Sequence, residues 1–397
     1  MTIKRFLAII FILVCTAIAW FVLGASLAFR TADSSGTLAR AVGSAWGPPM
    51  TQQHPAVFYN APGQPNGRHA IQPARSDVSV TLRYEPKKKG LLWYRTYLAD
   101  FSGDYVIENP TPITQTIYVR FAFPATDASY TDFSFVLNGA ASTDDKKTSD
   151  GITEAVTLEA GAKATLHVGY KTRGTDRWSY AFGDTTRIRN FQLRMNTDFR
   201  DIDFPAGTGS PTKRDAAKSG WQLAWIYPDV IGAQPVGMDM PKVLNPGPVA
   251  SRISFFAPVS LLFFFAVLLL VATMRGVNLH PMNYFFLAAG CFAFQLLFAY
   301  LVDLIALNEA FFLSALVSLA LVSGYLFLAT DKAFARIAAA AQFAYMVLFS
   351  YSFFFDGLTG LTITIGAIIT LAILMAATAK VDWAAKFTSV PPPLPVQ

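Results

Sequence analysis

The stretch FLAIIFILVCTAIAWFVLGASLAF, residues Phe6–Phe29, contains no charged side chain and follows Lys4 and Arg5. A helix needs about 20 apolar residues to cross the hydrocarbon core of a bilayer, and this run exceeds that length. It is also longer than the apolar region of a secretory signal, which has about 7–15 residues. The sequence therefore predicts an uncleaved transmembrane anchor over residues 1–29. Cleavage after Ser26-Leu27-Ala28 is the alternative that the pattern leaves open.

Five further apolar runs follow Arg252, with short polar breaks between them. Backbone groups in lipid must satisfy their hydrogen bonds within the segment, so runs of this length are predicted to be helices. We expect a five-helix membrane bundle over residues 253–379, followed by a Pro-rich tail over residues 380–397. The predicted spans are Ile253–Met274, Pro281–Val302, Ala310–Thr330, Ile337–Phe355 and Leu358–Ala379.

The distribution of short-loop charges predicts the orientation of the spans. Lysine and arginine accumulate in cytoplasmic loops, and placing the N-terminus in the cytoplasm puts Asp303, Glu309 and Asp356 in the short outer loops. The chain is then predicted to be a multi-pass membrane protein with both termini cytoplasmic and the large domain on the outer side. Its cytoplasmic charges are Lys4, Arg5, Arg275, Lys332, Arg336, Lys380 and Lys386.

Composition excludes some classes of function. Charged residues make up 15% of the chain, against about 25% in an ordinary soluble domain. The net charge of +6 is not concentrated in a basic face, so no nucleic-acid partner is expected. Both cysteines, Cys15 and Cys291, lie in apolar runs, where cysteine behaves as a small hydrophobe.

Residues 30–252 are predicted to form an extracytoplasmic all-β domain, sandwich-like, with antiparallel sheets. Residues 30–75 are rich in Pro, Gly, Asn and Gln and are predicted to be loop with short ordered pieces. Beyond them, apolar residues alternate with polar ones, as in half-buried strands. The nine predicted strands are Ser76–Tyr84, Leu91–Leu98, Thr116–Phe123, Phe133–Leu137, Ile152–Leu158, Ala164–Thr172, Trp178–Phe182, Phe191–Phe199 and Trp221–Tyr227.

No catalytic motif stands out. The chain has no Gly-x-Ser-x-Gly elbow and no phosphate-binding glycine loop, and none of its four histidines has a second ligand at metal spacing. Asp198, Asp201 and Asp203 are weak candidates for a calcium site, because oxygen ligands suit calcium; a solvated turn is the simpler interpretation. The sequence therefore predicts a protein that is not an enzyme and has no cofactor and no metal.

Five segments of the chain, taken in order, resemble those of a known family. They are Ala39–Pro55 (ARAVGSAWGPPMTQQHP, with Trp46 and Gly47), Leu82–Tyr105, Gln234-Pro235-Val236, His280-Pro281 and Asp303–Glu309. Through them the chain resembles the CreD family of bacterial inner-membrane proteins, which is associated with cell-envelope integrity; Trp46 and Gly47 are similar to the family's Trp-Gly-x-x-Gln segment. The resemblance implies a location in the bacterial cytoplasmic (inner) membrane with a large periplasmic domain. Where the family has Gly-Pro, this chain has Gln53-His54-Pro55, and Glu108–Gly139 does not align. The resemblance implies an envelope role, altered tolerance to agents that attack the envelope, and no catalytic residues.

The sequence supports three hypotheses about function. The first is a non-enzymatic envelope protein whose outer domain binds a wall, glycan or protein partner through surface aromatics, with Trp93, Tyr94, Trp178 and Trp221 as weak candidates. The second is a transporter or channel component formed by the six membrane helices. It is disfavoured because no ionisable residue lies in mid-membrane, where one would indicate function. The third is a sensor, which the short cytoplasmic segments make the least favoured of the three.

Overall fold

The computed structural model describes residues 3–60, 67–89, 92–142, 147–148, 150–183, 187–355 and 357–379. Within them the chain forms two compact units. One, the membrane unit, consists chiefly of Met1–Ser35 and Leu244–Gln397, and the other, the β-rich unit, of Gly36–Lys89 and Trp93–Val243. The predicted Pro-rich tail over residues 380–397 lies outside the described residues.

Among the described residues, six helical segments are long and apolar enough to cross a membrane, which agrees with the predicted number of spans. Their candidate spans are Ile3–Asp33, Pro246–Arg275, Pro281–Leu301, Leu307–Ala329, Lys332–Phe354 and Thr359–Thr378. The helices themselves are α1 (Ile3–Trp46), α2 (Pro246–Arg275), α3 (Pro281–Leu301), α4 (Leu307–Ala329), α5 (Lys332–Gln342), α6 (Phe349–Tyr351) and α7 (Thr359–Thr378). A π-helical turn, Phe343–Leu348, joins α5 to α6, and a 3₁₀ turn, Ser352–Phe354, follows α6. The fifth candidate span combines α5, α6 and the two turns beside α6.

Within the membrane unit, the first helix packs closely against the second. The Oγ of Ser251 donates to the carbonyl oxygen of Gly24 at 2.9 Å. A Cβ at Gly24 would lie 3.2 Å from the Phe255 ring, so the small residue permits this close approach, as is common between membrane helices. Trp20 of α1 is fully buried, and its Nε1 donates to Oε1 of Gln295 on α3 at 3.2 Å.

The prediction that residues 30–75 form loop with short ordered pieces is wrong for residues 30–46, because helix α1 continues past Phe29 to Trp46. Beyond the helix, three short strands, Met50–Gln53, Ala56–Asn60 and Arg68–Ile71, are the ordered pieces. Once a membrane helix exists, each added residue gains a hydrogen bond without a new nucleation cost. The alanine- and leucine-containing sequence after Arg30 can therefore extend it despite its serines and glycines.

The described residues of the β-rich unit form four sheets, and each of the nine predicted strands overlaps an observed strand. The largest sheet has the order β10-β9-β13-β7-β4-β15-β17-β16; the others are β11-β12-β8-β2-β3, β1-β14-β18 and β5-β6. The strands are β1 (Met50–Gln53), β2 (Ala56–Asn60), β3 (Arg68–Ile71), β4 (Arg75–Tyr84), β5 (Lys87–Lys89), β6 (Leu92–Tyr94), β7 (Thr96–Glu108), β8 (Gln115–Ala122), β9 (Tyr130–Leu137), β10 (Ala140–Ala141), β11 (Lys147–Thr148), β12 (Gly151–Leu158), β13 (Lys163–Thr175), β14 (Arg177–Ala181), β15 (Arg187–Thr197), β16 (Lys213–Ala216), β17 (Trp221–Ile231) and β18 (Val236–Asp239).

The core of this unit lies between the eight-stranded and five-stranded sheets. Phe121 on β8 is fully buried, and its ring centroid lies 6.3 Å from that of Phe101 and 6.4 Å from that of Tyr170 on the larger sheet. The predicted sandwich of sheets is therefore present. Two pairings differ from the all-antiparallel prediction, because β4 pairs with β15 and β1 with β14 in parallel.

Candidate functional site

The end of helix α1 is fixed by Trp46 and Gly47. Gly47 has φ +88°, and its N–H donates to the carbonyl oxygen of Gly43 at 2.8 Å. Such a left-handed residue after the last helical turn is usually glycine. A Cβ at this position would also collide with the carbonyl oxygen of Arg173, so glycine is needed here. The result is a fixed position for the Trp46 ring at the end of the helix.

Two cations lie over the Trp46 ring. The Lys87 Nζ and the Arg173 Cζ are each 4.9 Å from its centroid, within the range of a cation–π interaction. Lys87 also lies 3.6 Å from Glu85 in an ion pair. Because the C-terminal end of a helix carries partial negative charge, cations are favourable at this position.

A groove of about 360 Å³ opens beside Trp46, which is within the range of roughly 300–1,000 Å³ typical of small-molecule sites. We call it the Trp46 groove. Residues opposite each other on neighbouring strands share a face of the sheet, and Arg83, Leu98 and Arg173 are such a row across β4, β7 and β13. The groove is lined by Ser44, Ala45, Trp46, Gly47, Arg83, Leu98, Ala99, Asp127, Ser129, Thr131, Lys171, Thr172 and Arg173.

The charges around this groove are unevenly paired. Lys171 forms an ion pair with Asp132 at 2.8 Å, and this hydrogen bond raises the pKa of the Lys171 amine. Arg83 and Arg173 form no ion pair with a carboxylate among the described residues. Asp127 contributes the one carboxylate of the lining and is exposed. The groove thus presents cationic groups together with hydroxyls and an aromatic wall.

A polar network is enclosed within the β-rich unit. His54 Nδ1 lies 2.8 Å from the hydroxyl of Tyr180, which lies 3.0 Å from that of Tyr105. The His54 ring also contacts the rings of Phe182 and Phe191. Burial lowers the pKa of His54 to about 4 and raises the pKa of both tyrosines. The His54 ring is therefore hydrogen-bonded to Tyr180, which in turn is hydrogen-bonded to Tyr105. The one feature of the sequence that marks His54 is that Gln53-His54-Pro55 stands where the family that the chain resembles has Gly-Pro.

The structure does not bring together the four aromatic residues proposed as surface ligands. Trp178 is fully buried in the core, so its prediction as a surface residue is wrong. Its alternation with Tyr180 and Phe182, all buried, is the signal that indicates an inward-facing row. Trp221 is covered by the Arg214 guanidinium at 4.0 Å. Trp93 and Tyr94 lie on the short strand β6, away from the lining of the Trp46 groove.

The three aspartates proposed as a calcium site do not form one. Asp198 accepts the backbone N–H of Tyr84 at 2.9 Å, and Asp203 lies 3.7 Å from the Lys242 ammonium. Over the part of the chain that the structure describes, no group of three His, Cys, Asp or Glu side chains is placed to hold a metal ion. The simpler interpretation, a set of separate turn and surface aspartates, fits these contacts.

The membrane unit has a polar interior of side-chain amides and hydroxyls. Gln342 is fully buried at the start of the π-helical turn, and its Nε2 donates to the carbonyl oxygen of Ser318 at 3.1 Å. Its Oε1 has no hydrogen-bond partner among the described residues, and neither has Nε2 of the buried Gln295. A separate, largely apolar crevice of about 380 Å³ lies between this turn and α7. Tyr345 and Thr370 line it, joined by a 3.0 Å hydrogen bond.

Comparison with known proteins identifies one family. The model of the family described as inner membrane protein CreD matches residues 132–384, more than half of the chain. Gln234-Pro235-Val236, His280-Pro281 and Asp303–Glu309 lie within this match, whereas Ala39–Pro55 and Leu82–Tyr105 precede it.

Curated proteins and solved structures add little to this match. None of the curated proteins matches the chain. Among solved structures, a putative nutrient binding protein from Legionella pneumophila is similar at 12% identity over 53% of this chain and 75% of that chain, with a TM-score of 0.33.

Proposed function

Because this chain belongs to the CreD family of inner membrane proteins, we propose that it supports the integrity or stress tolerance of the cell envelope without catalysing a reaction. In this proposal, the β-rich domain over residues 30–252 binds an envelope component, either a glycan of the wall or a protein. The anchor over residues 1–29 and the helices over residues 253–379 hold it in the bilayer.

The observation that carries this proposal is the Trp46 groove. It combines a pocket of small-molecule size with two arginines that lack carboxylate partners among the described residues. Binding sites use a few placed polar groups for specificity, and this lining has them. The groove contains no cysteine, histidine or paired carboxylates, so its residues suit recognition better than acid–base or nucleophilic chemistry.

We further propose that the β-rich domain is periplasmic and that both termini are cytoplasmic. This orientation is supported by the distribution of Lys and Arg over the short loops. It would place the Trp46 groove on the side of the membrane where wall polymers are found.

The test compares groove variants in cells. We would replace the native gene with Trp46→Leu or with the double variant Arg83→Gln/Arg173→Gln, and measure survival under a sublethal detergent or a wall-active antibiotic. Protein abundance is measured by immunoblot. Loss of tolerance at normal abundance is expected, approaching that of a deletion strain. Arg189→Gln, an exposed arginine of β15 outside the groove, serves as the matched control. Full tolerance in both groove variants at normal abundance would contradict the proposal.

The second candidate function is a transporter or channel component. The observation that favours it is the presence of two separate buried amides in the membrane unit. Among the described residues, Gln295 Nε2 and Gln342 Oε1 have no hydrogen-bond partner. Such polar groups are costly in lipid and line pathways in some membrane proteins, although they also join helices. Gln342→Leu and Gln295→Leu in the same assay separate the two candidates. Loss of tolerance in these variants alone, at normal abundance, would favour transport over binding.

A further inference from the structure

We propose that the Trp46 groove binds an acidic saccharide, meaning a sugar ring that carries a phosphate or carboxylate group. This inference deepens the proposed function and rests on it, because it names the class of ligand for the same site. It is carried by the arrangement of the arginines, the hydroxyls and the aromatic wall in one groove.

The anionic group of the ligand is assigned to Arg83 and Arg173. Their strands are separated by β7, with Leu98 between them in register, so their backbones are about 10 Å apart at the usual strand spacing. Two arginine side chains can span this gap and converge on one group, and guanidinium forks match the geometry of phosphate and carboxylate oxygens. Neither arginine has a carboxylate partner among the described residues, so binding an anion would not require breaking an ion pair.

The remaining lining suits the rest of a sugar. Ser129 and Thr131 present hydroxyl groups to the groove, and Asp127 presents an exposed carboxylate. A carboxylate can accept hydrogen bonds from the hydroxyls of a sugar. Trp46 supplies an amphipathic wall, apolar on its ring and polar at its N–H. Lys171 of the lining is already paired with Asp132, but Arg83 and Arg173 still outnumber the single carboxylate of Asp127. This excess of positive charge favours an acidic sugar over a neutral one.

A structural role alone for Arg173 is the competing explanation. A cation beside the last turn of α1 stabilises that helix end, and Arg173 already lies over Trp46. This explanation covers Arg173 but gives no role to Arg83. Arg83 lines the groove and pairs with Leu98 of the neighbouring strand. The structural explanation predicts that replacing the arginines changes stability and leaves ligand binding unchanged, so a binding measurement separates the two.

The experiment uses the full-length protein purified in a neutral detergent at low salt. Binding of glucose 6-phosphate, glucuronate, glucose and inorganic phosphate is measured by titration calorimetry and ligand-observed NMR. We expect both acidic sugars to bind more tightly than glucose or phosphate. Arg83→Gln/Arg173→Gln should weaken acidic-sugar binding at least about tenfold, because hydrogen bonds to charged groups are lost. Arg83→Lys/Arg173→Lys should retain part of the affinity, and Arg189→Gln all of it.

Several results would overturn the inference. They are equal binding of glucose and glucose 6-phosphate, equal binding of phosphate alone, no binding of any probe, or unchanged affinity in a folded Arg83→Gln/Arg173→Gln protein. Thermal melting establishes that each variant is folded, and Ser129→Ala is a milder second variant that should weaken sugar binding without changing the charge. If Trp46→Leu abolishes tolerance in cells while Arg83→Gln/Arg173→Gln retains it, the proposed function stands and the acidic-saccharide inference fails.

Discussion

Arg30 and Asp303 form an ion pair in the membrane unit, with Arg30 Nη2 2.9 Å from Asp303 Oδ2. They lie 273 positions apart, one in α1 beyond the apolar run and the other just after α3. The pair joins the first helix to the end of the third, and it gives Arg30, an arginine on the predicted outer side, a local counter-charge.

Reversing the charge of Arg30 or of Asp303 alone should destabilise the protein more than reversing both charges together. Arg30→Asp alone places two acids together, and Asp303→Arg alone places two bases together, so each should lower the melting temperature of the detergent-solubilised protein. The double reversal restores opposite charges and should recover most of the loss. Because the pair is partly exposed, its coupling free energy should be about 1 kcal/mol or less. Additive effects in the double variant would show that the two side chains are not coupled.

The proposed orientation can be measured with single cysteines. In a protein with Cys15 and Cys291 replaced by alanine, a cysteine at the exposed Ser210 should react with a membrane-impermeant maleimide in intact cells. A cysteine at the exposed Lys332, the first residue of α5, should react only after permeabilisation. Reaction of the Lys332 position from outside would require a different number of spans before it.

The core between the two large sheets should depend on Phe121. Phe121→Ala removes a fully buried ring from contact with Phe101 and Tyr170. We expect a loss of about 3–5 kcal/mol in the free energy of unfolding, as for other buried aromatic truncations. The measurement is denaturant unfolding of the β-rich domain followed by circular dichroism. Arg120 is the exposed neighbour of Phe121 on the same strand. The control Arg120→Ala should lower the free energy of unfolding by less than about 1 kcal/mol. Similar losses of stability in the two variants would place Phe121 outside the core.

His54 should make stability depend on pH. Its pKa is lowered from 6.5 to about 4 by burial, so between these values the unfolded chain binds the proton more readily than the folded one. Stability is therefore fully present above about pH 6.5 and is lost as the pH falls towards 4. A shift of this size corresponds to a loss of up to about 3 kcal/mol.

Comparison with His54→Gln isolates this effect from that of other groups. The variant keeps a polar side chain near Tyr180 but cannot be protonated. Its free energy of unfolding should vary less between pH 7 and 4 than that of the unsubstituted protein. Parallel pH curves for the two proteins would assign the dependence to other residues.

The sequence predicted the elements well because their signals are local. Each membrane span is a long apolar run, and each of the nine predicted strands overlaps an observed strand. Asn-Gly is a favoured pair in tight hairpin turns, and Asn138 and Gly139, which follow the predicted strand Phe133–Leu137, both have positive φ. Within the predicted strand Thr116–Phe123, the alternating apolar residues Ile117, Val119 and Phe121 are all buried.

The features that sequence did not predict depend on distant partners. Alternation assigns residues to a face but does not name the neighbouring strand, so the parallel pairs β1–β14 and β4–β15 were not foreseen. Trp178 is a different case, because its alternation with the buried Tyr180 and Phe182 already indicates an inward-facing residue. Arg83 and Arg173 were not predicted as site residues, because only strand register places them on either side of Leu98.

The parallel pairing of β4 with β15 has a consequence for the biogenesis of the protein. Ser76 pairs with Phe191 and Leu82 with Thr197, so a strand made early cannot complete its ladder until more than a hundred further residues have emerged. Contacts so distant in sequence make folding slow, and meanwhile one edge of β4 remains an open template for wrong pairing. We expect this domain to depend on holding chaperones during synthesis, and chains arrested before residue 187 to be degraded by proteases rather than to accumulate.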